Sequence, residues 1–378
     1  MKKFTLILAT VALLAAGCSK TEVVGPQNRK GINFAAYTAN TTKAAQEDVT
    51  RTNLTRFEVT AFGNNAFYFK NIIFEYSNDR NVWESATKYF WPAFPLTFYA
   101  YNTPSGYDTP LQPTGFSRRF NPTTKEPELD VAPAAELAYQ EDLVAAYAAD
   151  KTESVVDNIS KSLQLTFKHY LTQVIVKAKN ANSTYKVVVD GVKIANMAAQ
   201  GTYTFSTNTM TADGRNVNSE NSIDYTANFT AKTLKSDPKE VMTKQGNGRW
   251  YLIPQSVTSW NPSTDINNTH KGTYLALKVK ITANNGALKI YPATGDVSGW
   301  MAVPIPPELA FAQGKKYKVT IHFFSAEKPG AGYVDPEAGS DLNGDEIAND
   351  NGKNIIGGEI KFNATVDPWG NNDIEINL

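Results

Sequence analysis

Residues 162–180 read SLQLTFKHYLTQVIVKAKN, and two phases of alternation meet inside them. Leu163, Leu165, Phe167, His169 and Leu171 share one side of an extended chain; Gln164, Thr166, Lys168 and Tyr170 share the other. Side chains of a strand alternate between faces, so this is a strand with one apolar face. Beyond Leu171 the phase breaks, because Val174, Ile175 and Val176 are contiguous. A one-residue insertion flips every later side chain, so a bulge or tight turn is expected near Thr172–Gln173.

The same pattern runs outward in both directions. Upstream lie RFEVTAF, AFYFKNIIFEYS, TKYFWP, LTFYAYN and LVAAYAA; downstream lie TYKVVVDGVKIANM, GTYTFST, RWYLIPQS, TYLALKVKITAN, LKIYP, WMAVPIP, KKYKVTIHFF, EIKFNATV and NDIEINL. Turns between them carry Asn, Asp, Pro and Gly, and Asp190-Gly191 reads as a hairpin signal. Pro104 to Pro133 reads as a long irregular excursion, and EPELDVAPAAELAYQEDLV as the one helical piece of the first half. Strands in this number, rich in Tyr, Phe, Thr and Val, predict an all-β chain of antiparallel sandwiches. A length of 378 residues suggests two domains, with a boundary near residue 180.

The N-terminus, MKKFTLILATVALLAAGCSK, has a basic Lys2-Lys3 end and an apolar run from Phe4 to Ala16. That run is too short for a permanent span and reads as a secretory signal, residues 1–17. Ala15, Ala16 and Gly17 lead into Cys18, the single cysteine, as in a bacterial lipoprotein box with Ala15 in place of the commoner Leu. The expectation is cleavage before Cys18 and acylation of its thiol. Several acyl chains at ~0.8 kcal/mol per buried CH₂ anchor stably where one does not. Lys+Arg and Asp+Glu are 37 each, so the net charge is zero and nothing points to a nucleic-acid partner.

No GxSxG, HExxH or GxxxxGK[ST] occurs, and His169, His270 and His322 make no local cluster. His169 on its apolar face reads as a core histidine held by a nearby backbone or hydroxyl group. Dispersed carboxylates remain compatible with a glycosidase pair. No catalytic residue, metal site or cofactor is assigned, and an enzyme ranks last among the readings. In VDPEAGSDLNGDEIANDNGKN, Asp341, Asn343 and Asp345 stand at i, i+2 and i+4, like the start of a calcium loop. Glu346 stands where that loop needs Gly and Gly352 where it needs a bidentate Glu, so a solvated hairpin loop is preferred. Trp and Tyr could stack on sugars, although most belong in a strand core.

VTRTNLTRFEVTAFG, LQLTFKHYLTQVIVKAKN, WYLIPQ, FAQGKKYKVTIHF and EIKFNATVDPW, in this order behind a lipobox, resemble the fimbrillin family of Bacteroidales pilins. The resemblance covers essentially the whole chain. It implies two transthyretin-like β-sandwiches, lipoprotein export, and surface assembly into fimbriae at the outer membrane. It further implies trimming by an Arg-specific protease and polymerisation by donor-strand exchange with other subunits, contributing to adhesion to host or bacterial surfaces. On that basis residues 18–51 form a removable tether and first strand, residues 52–180 the first sandwich and residues 181–378 the second.

Arg51 and Arg56 are the candidate cleavage points, with Arg51 preferred because Arg56 abuts a strand. Ile32 and Phe34 would point into the first core and be the displaced side chains. Their removal would bare an apolar trough beside unpaired backbone groups, a template for another strand. Ile374, Ile376 and Leu378 share one face and make residues 357–378 the candidate donor; equally, this segment completes its own sheet as a hairpin. The alternatives are a stably anchored glycan-binding lipoprotein using exposed Trp and Tyr, and an adhesive tip subunit of the same fimbria.

Overall fold

The break in alternation after Leu171 is a change of sheet. The computed structural model describes residues 30–38, 48–49, 53–104, 115–156, 162–213, 222–242, 248–283, 286–338, 342 and 350–369. In chain order the first half contributes β1 (Phe34–Thr38), β2 (Arg56–Gly63), β3 (Ala66–Ser77), β4 (Val82–Glu84), β5 (Leu96–Tyr101), β6 (Gly115–Asn121), β7 (Glu126–Ala132), β8 (Val144–Lys151) and β9 (Leu163–His169). The second contributes β10 (Thr172–Asn180), β11 (Tyr185–Ala198), β12 (Gly201–Thr204), β13 (Thr209–Ala212), β14 (Ser222–Thr233), β15 (Lys239–Glu240) and β16 (Trp250–Leu252). It ends with β17 (Tyr274–Ala283), β18 (Leu288–Tyr291), β19 (Gly299–Pro304), β20 (Lys315–Phe323), β21 (Tyr333–Val334) and β22 (Lys361–Pro368).

The strand over 163–169 is β9, alternately buried and exposed along its length. The turn lies at Tyr170–Leu171, just ahead of the expected Thr172–Gln173. Both of its residues are buried, and β10 leaves for another sheet. Sheet membership therefore changes there and not at residue 180.

In the first half β1-β4-β3-β2-β5-β8-β9 close into a barrel. Its interior is aromatic, with Phe34, Phe57, Phe74, Phe98, Trp91 and Phe167 fully buried. Asn64 and Asn65 join β2 to β3 at φ of 50° and 59°, a left-handed pair that Asn tolerates and a two-residue hairpin requires. The second half is a sandwich. One sheet runs β15-β10-β20-β22 with β16 also on β10; the other runs β14-β11-β17-β19-β21 with β18 on β17. Val174, Val176, Val319 and Ile321 from the first sheet meet Val189, Ile194, Leu277 and Val279 from the second in one core. The chain is thus all-β as expected, but the sheet of its first half closes on itself.

Several local expectations are corrected. Asp190-Gly191 does not turn the chain: β11 runs through it with a bulge between Val189 and Gly191. A Cβ on Gly191 would come within 3.1 Å of the Lys278 Cβ, so the bulge needs a bare backbone. The Pro104–Pro133 excursion holds the β6–β7 hairpin. Pro127 is tolerated because the pairing of β7 with β12 starts only at Glu128. The expected helix shrinks to a single 3₁₀ turn, Leu137–Tyr139, since β7 takes the residues before it. TKYFWP forms only an isolated bridge, Phe90 to Gly31, with Pro92 and Pro95 on its far side.

A further sheet joins the halves. Its order is β13-β12-β7-β6, and β7 pairs with β12 through four rungs from Gly201↔Val131 to Thr204↔Glu128. Beneath it Tyr99, Tyr101, Leu129 and Val131 pack with Tyr203, Phe205, Tyr251 and Trp369.

Candidate functional site

β1 is the stave that closes the barrel. Ile32, Phe34 and Ala36 alternate inward and are buried, with Asn33 and Ala35 between them on the outside. On one side β1 runs parallel to β9 through five rungs, from Phe34↔Leu163 to Thr38↔Phe167. On the other it meets β4 at Phe34↔Trp83 alone. The Ile32 N–H donates to the Tyr89 carbonyl at 2.8 Å, and the Leu163 N–H to the Asn33 carbonyl at 2.8 Å. Phe34 is fully enclosed, its ring 4.7 Å from Phe74 and 5.4 Å from Phe98, both edge-on. Burying Ile32 and Phe34 contributes about 1.5–3 kcal/mol each, and the ring pairs add ~0.5–1.5 kcal/mol. Without β1, the facing edges of β4 and β9 lose their partner and the aromatic interior opens.

Asp48 is the polar anchor of the segment. It is fully buried. Its Oδ1 accepts from Gln173 Nε2 at 2.6 Å, the Tyr251 hydroxyl at 3.0 Å and Arg249 Nη1 at 3.2 Å. Its Oδ2 accepts from Lys316 Nζ at 2.6 Å. All four donors belong to the second half. Gln173 is cross-strand neighbour to both Tyr251 on β16 and Lys316 on β20, so three of them form one row across a sheet. Gln173 is on the side of β10 opposite Val174 and Val176, which fill the core, so the row is on the outer face. Trp369, just past β22, stacks on Tyr251 at 5.7 Å and on His169 at 4.2 Å, and Lys316 Nζ is 5.8 Å from its ring.

Burial alone would raise the Asp48 carboxyl. The Lys316 ammonium, backed by Arg249 and Gln173, overcomes that and holds it below the ordinary carboxylate value. Asp142 on the barrel side holds the next residue: its Oδ2 accepts the Val49 N–H at 2.6 Å, while its Oδ1 faces His169 Nδ1 at 3.0 Å. Asn53 Nδ2 closes the stretch by donating to the Asp48 carbonyl at 2.7 Å.

Cys18, Arg51, the donor candidates Ile374, Ile376 and Leu378, and the calcium candidates Asp341, Asn343 and Asp345 all lie outside the described residues. Arg56 opens β2, paired with Glu75, and the carbonyl before it accepts from Tyr76 N–H at 2.8 Å. A backbone held in a ladder cannot extend into a protease cleft. Residues 361–368 of the candidate donor are β22, paired with β20 from Lys315↔Pro368 to His322↔Lys361, and Ala364 packs in their own core. That part completes its own sheet. His169 is a core histidine, but its partner is the Asp142 carboxylate and not a backbone or hydroxyl group. Among the described residues no group of three His, Cys, Asp or Glu is placed to hold a metal. Of the six Trp, five are buried and Trp300 is half-buried, so no exposed indole serves sugar stacking. Sequence reasoning missed Asp48 and Asp142, since a single acid carries no local signal of partners distant in the chain.

The fimbrillin-like family description matches residues 21–335. The chain belongs to the fimbrillin-like family. Among solved structures it resembles a fimbrial protein from Bacteroides vulgatus at 14% identity and a TM-score of 0.54, over 89% of this chain and 99% of that one. A candidate cell adhesion protein from Parabacteroides distasonis aligns at 11% identity and a TM-score of 0.45, over 90% and 97%. Another from Bacteroides uniformis aligns at 12% and 0.43, over 91% and 99%. No curated protein matches the chain.

Proposed function

We propose that this fimbrillin-like chain is a structural subunit of a cell-surface fimbria, made as a lipoprotein precursor and matured by removal of its N-terminal strand. Cys18 carries the lipid and tethers the precursor to the outer membrane. Cutting after Arg51 frees β1 together with the lipid. A strand from another copy then fills the trough vacated by Ile32 and Phe34. The observation that carries this reading is β1 itself: a five-residue stave closes a barrel whose other staves are β2 to β5, β8 and β9. Because β22 is committed to its own sandwich as far as Pro368, the donor is restricted to residues after Trp369, which retain Ile374, Ile376 and Leu378. The two modules meet at Tyr170–Leu171. The chain performs no catalysis; its partners are other subunits and the surfaces to which the fimbria adheres.

Limited trypsin treatment followed by unboiled gels tests this. A ladder of multimers is expected from the wild type, and a persistent monomer from Arg51→Ala and from a chain lacking residues 372–378. Normal polymerisation of Arg51→Ala overturns the choice of cleavage point; normal polymerisation of the truncated chain overturns the donor.

A further inference from the structure

We propose that Gln173, Arg249, Tyr251 and Lys316 form a carboxylate-binding site on the second half, and that Asp48 in this site locks the N-terminal segment in place after the chain is cut. The inference rests on the proposed removal of that segment and concerns what controls it. Cleavage breaks one peptide bond and none of the contacts that hold β1. A strand leaves a sheet by fraying from an end, and the end created by a cut after Arg51 is the end that carries Asp48, three residues upstream. Fraying therefore begins by withdrawing a fully buried carboxylate from four donors.

The site is built for this ligand. Both carboxylate oxygens are engaged, Oδ1 by three donors and Oδ2 by an ammonium, and the side chains of Lys316 and Arg249 are only 16% and 13% exposed. Removing one partner of a buried ion pair costs more than the pair contributes in place, because the remaining charge keeps its desolvation penalty. The Val49 N–H bond to Asp142 fixes the backbone beside the lock and ties it to the barrel. Asp48 and Val49 thus span both halves: the side-chain contacts of Asp48 lie on the sandwich, and the backbone contact of Val49 lies on the barrel. A cut chain with the lock closed remains a monomer with its trough filled, so cleavage and exposure become separate steps.

The test uses the full chain treated with limiting trypsin and passed repeatedly over a native sizing column, with the segment that ends at Arg51 followed by mass spectrometry. The wild type is expected to lose the segment slowly, at the pace at which its multimers form, with Asp48→Asn and Lys316→Met each losing it at least tenfold faster. The double variant should lose it no faster than the quicker single, because both changes break one contact. Equal release from the wild type and both single variants overturns the lock. If trypsin leaves the Arg51 bond of the wild type intact, the processing reading fails instead. The lock is then read in the uncut chain by hydrogen exchange. Amides of Val49 and of residues 34–38 should exchange at least tenfold faster in either variant, and unchanged rates overturn it. Lys316→Met, which keeps the apolar stem, guards against a general loss of folding in Asp48→Asn.

Discussion

β1 and β10 hold matching places in the two halves. Each is the first strand of its half, and each runs parallel to a later strand, β1 to β9 and β10 to β20. Their attachments differ. β10 has eight rungs to β20, antiparallel partners β15 and β16 on its other side, and a covalent link to β9 through two buried residues. β1 has five rungs, one paired residue on its other side, and a link that passes through Arg51. Under the proposed assembly, the same position is permanent in one half and replaceable in the other. What separates them is the edge and the connection, since both strands bury large apolar side chains.

The largest effect expected from attacking this contrast is at Phe34. Phe34→Ala should lower the stability of the first half by about 3–5 kcal/mol in urea unfolding, and a loss under ~1 kcal/mol would show that β1 is already dispensable. Val176→Ala, on the fully buried face of β10, should cost roughly 1.5–3 kcal/mol while leaving trypsin-triggered multimers unchanged. Faster multimer formation in that variant would erase the distinction between the strands.

Acid should act on the β1 side through Asp48. Its folded value is below its unfolded one, so its contribution is complete above the ordinary carboxylate range and is lost as pH falls through the lower folded value. The stability difference between the wild type and Asp48→Asn should stay level from neutral pH to about 4 and shrink below that. A difference that fades near pH 6 would point to another group. The smallest effect belongs to the β10 side. His322, paired with Lys179 of β10, is held at about 4 by burial and by the charges of Lys179 and Lys361. The folded chain resists its protonation, so stability should decline as pH falls from about 6.5 toward 4, and His322→Gln should flatten that slope.

Much of this was legible because alternation is a local signal. Ile32 and Phe34 point inward, and β2, β3, β5, β9 and β20 lie where their patterns put them. Asp190-Gly191 misled because the dipeptide permits both a hairpin and a bulge. Lys278 and Trp300, crowding Gly191 from outside the segment, decide for the bulge. The closed barrel was not legible, since alternation reports a strand's faces and not its neighbours. Asp48 was silent for a similar reason. Its donors lie 125, 201, 203 and 268 residues away, and a lone acid in a polar stretch has no periodicity that could reveal them.

The sheet β13-β12-β7-β6 has a mechanical consequence. It draws two strands from each half, so the modules cannot be pulled apart like beads on a cord. Tension between them loads the four β7–β12 rungs together with the stacked rings of Tyr170 and Tyr203, 4.7 Å apart. Each molecule is therefore a stiff link, and under the proposed assembly a filament made of such links flexes at the joints between copies.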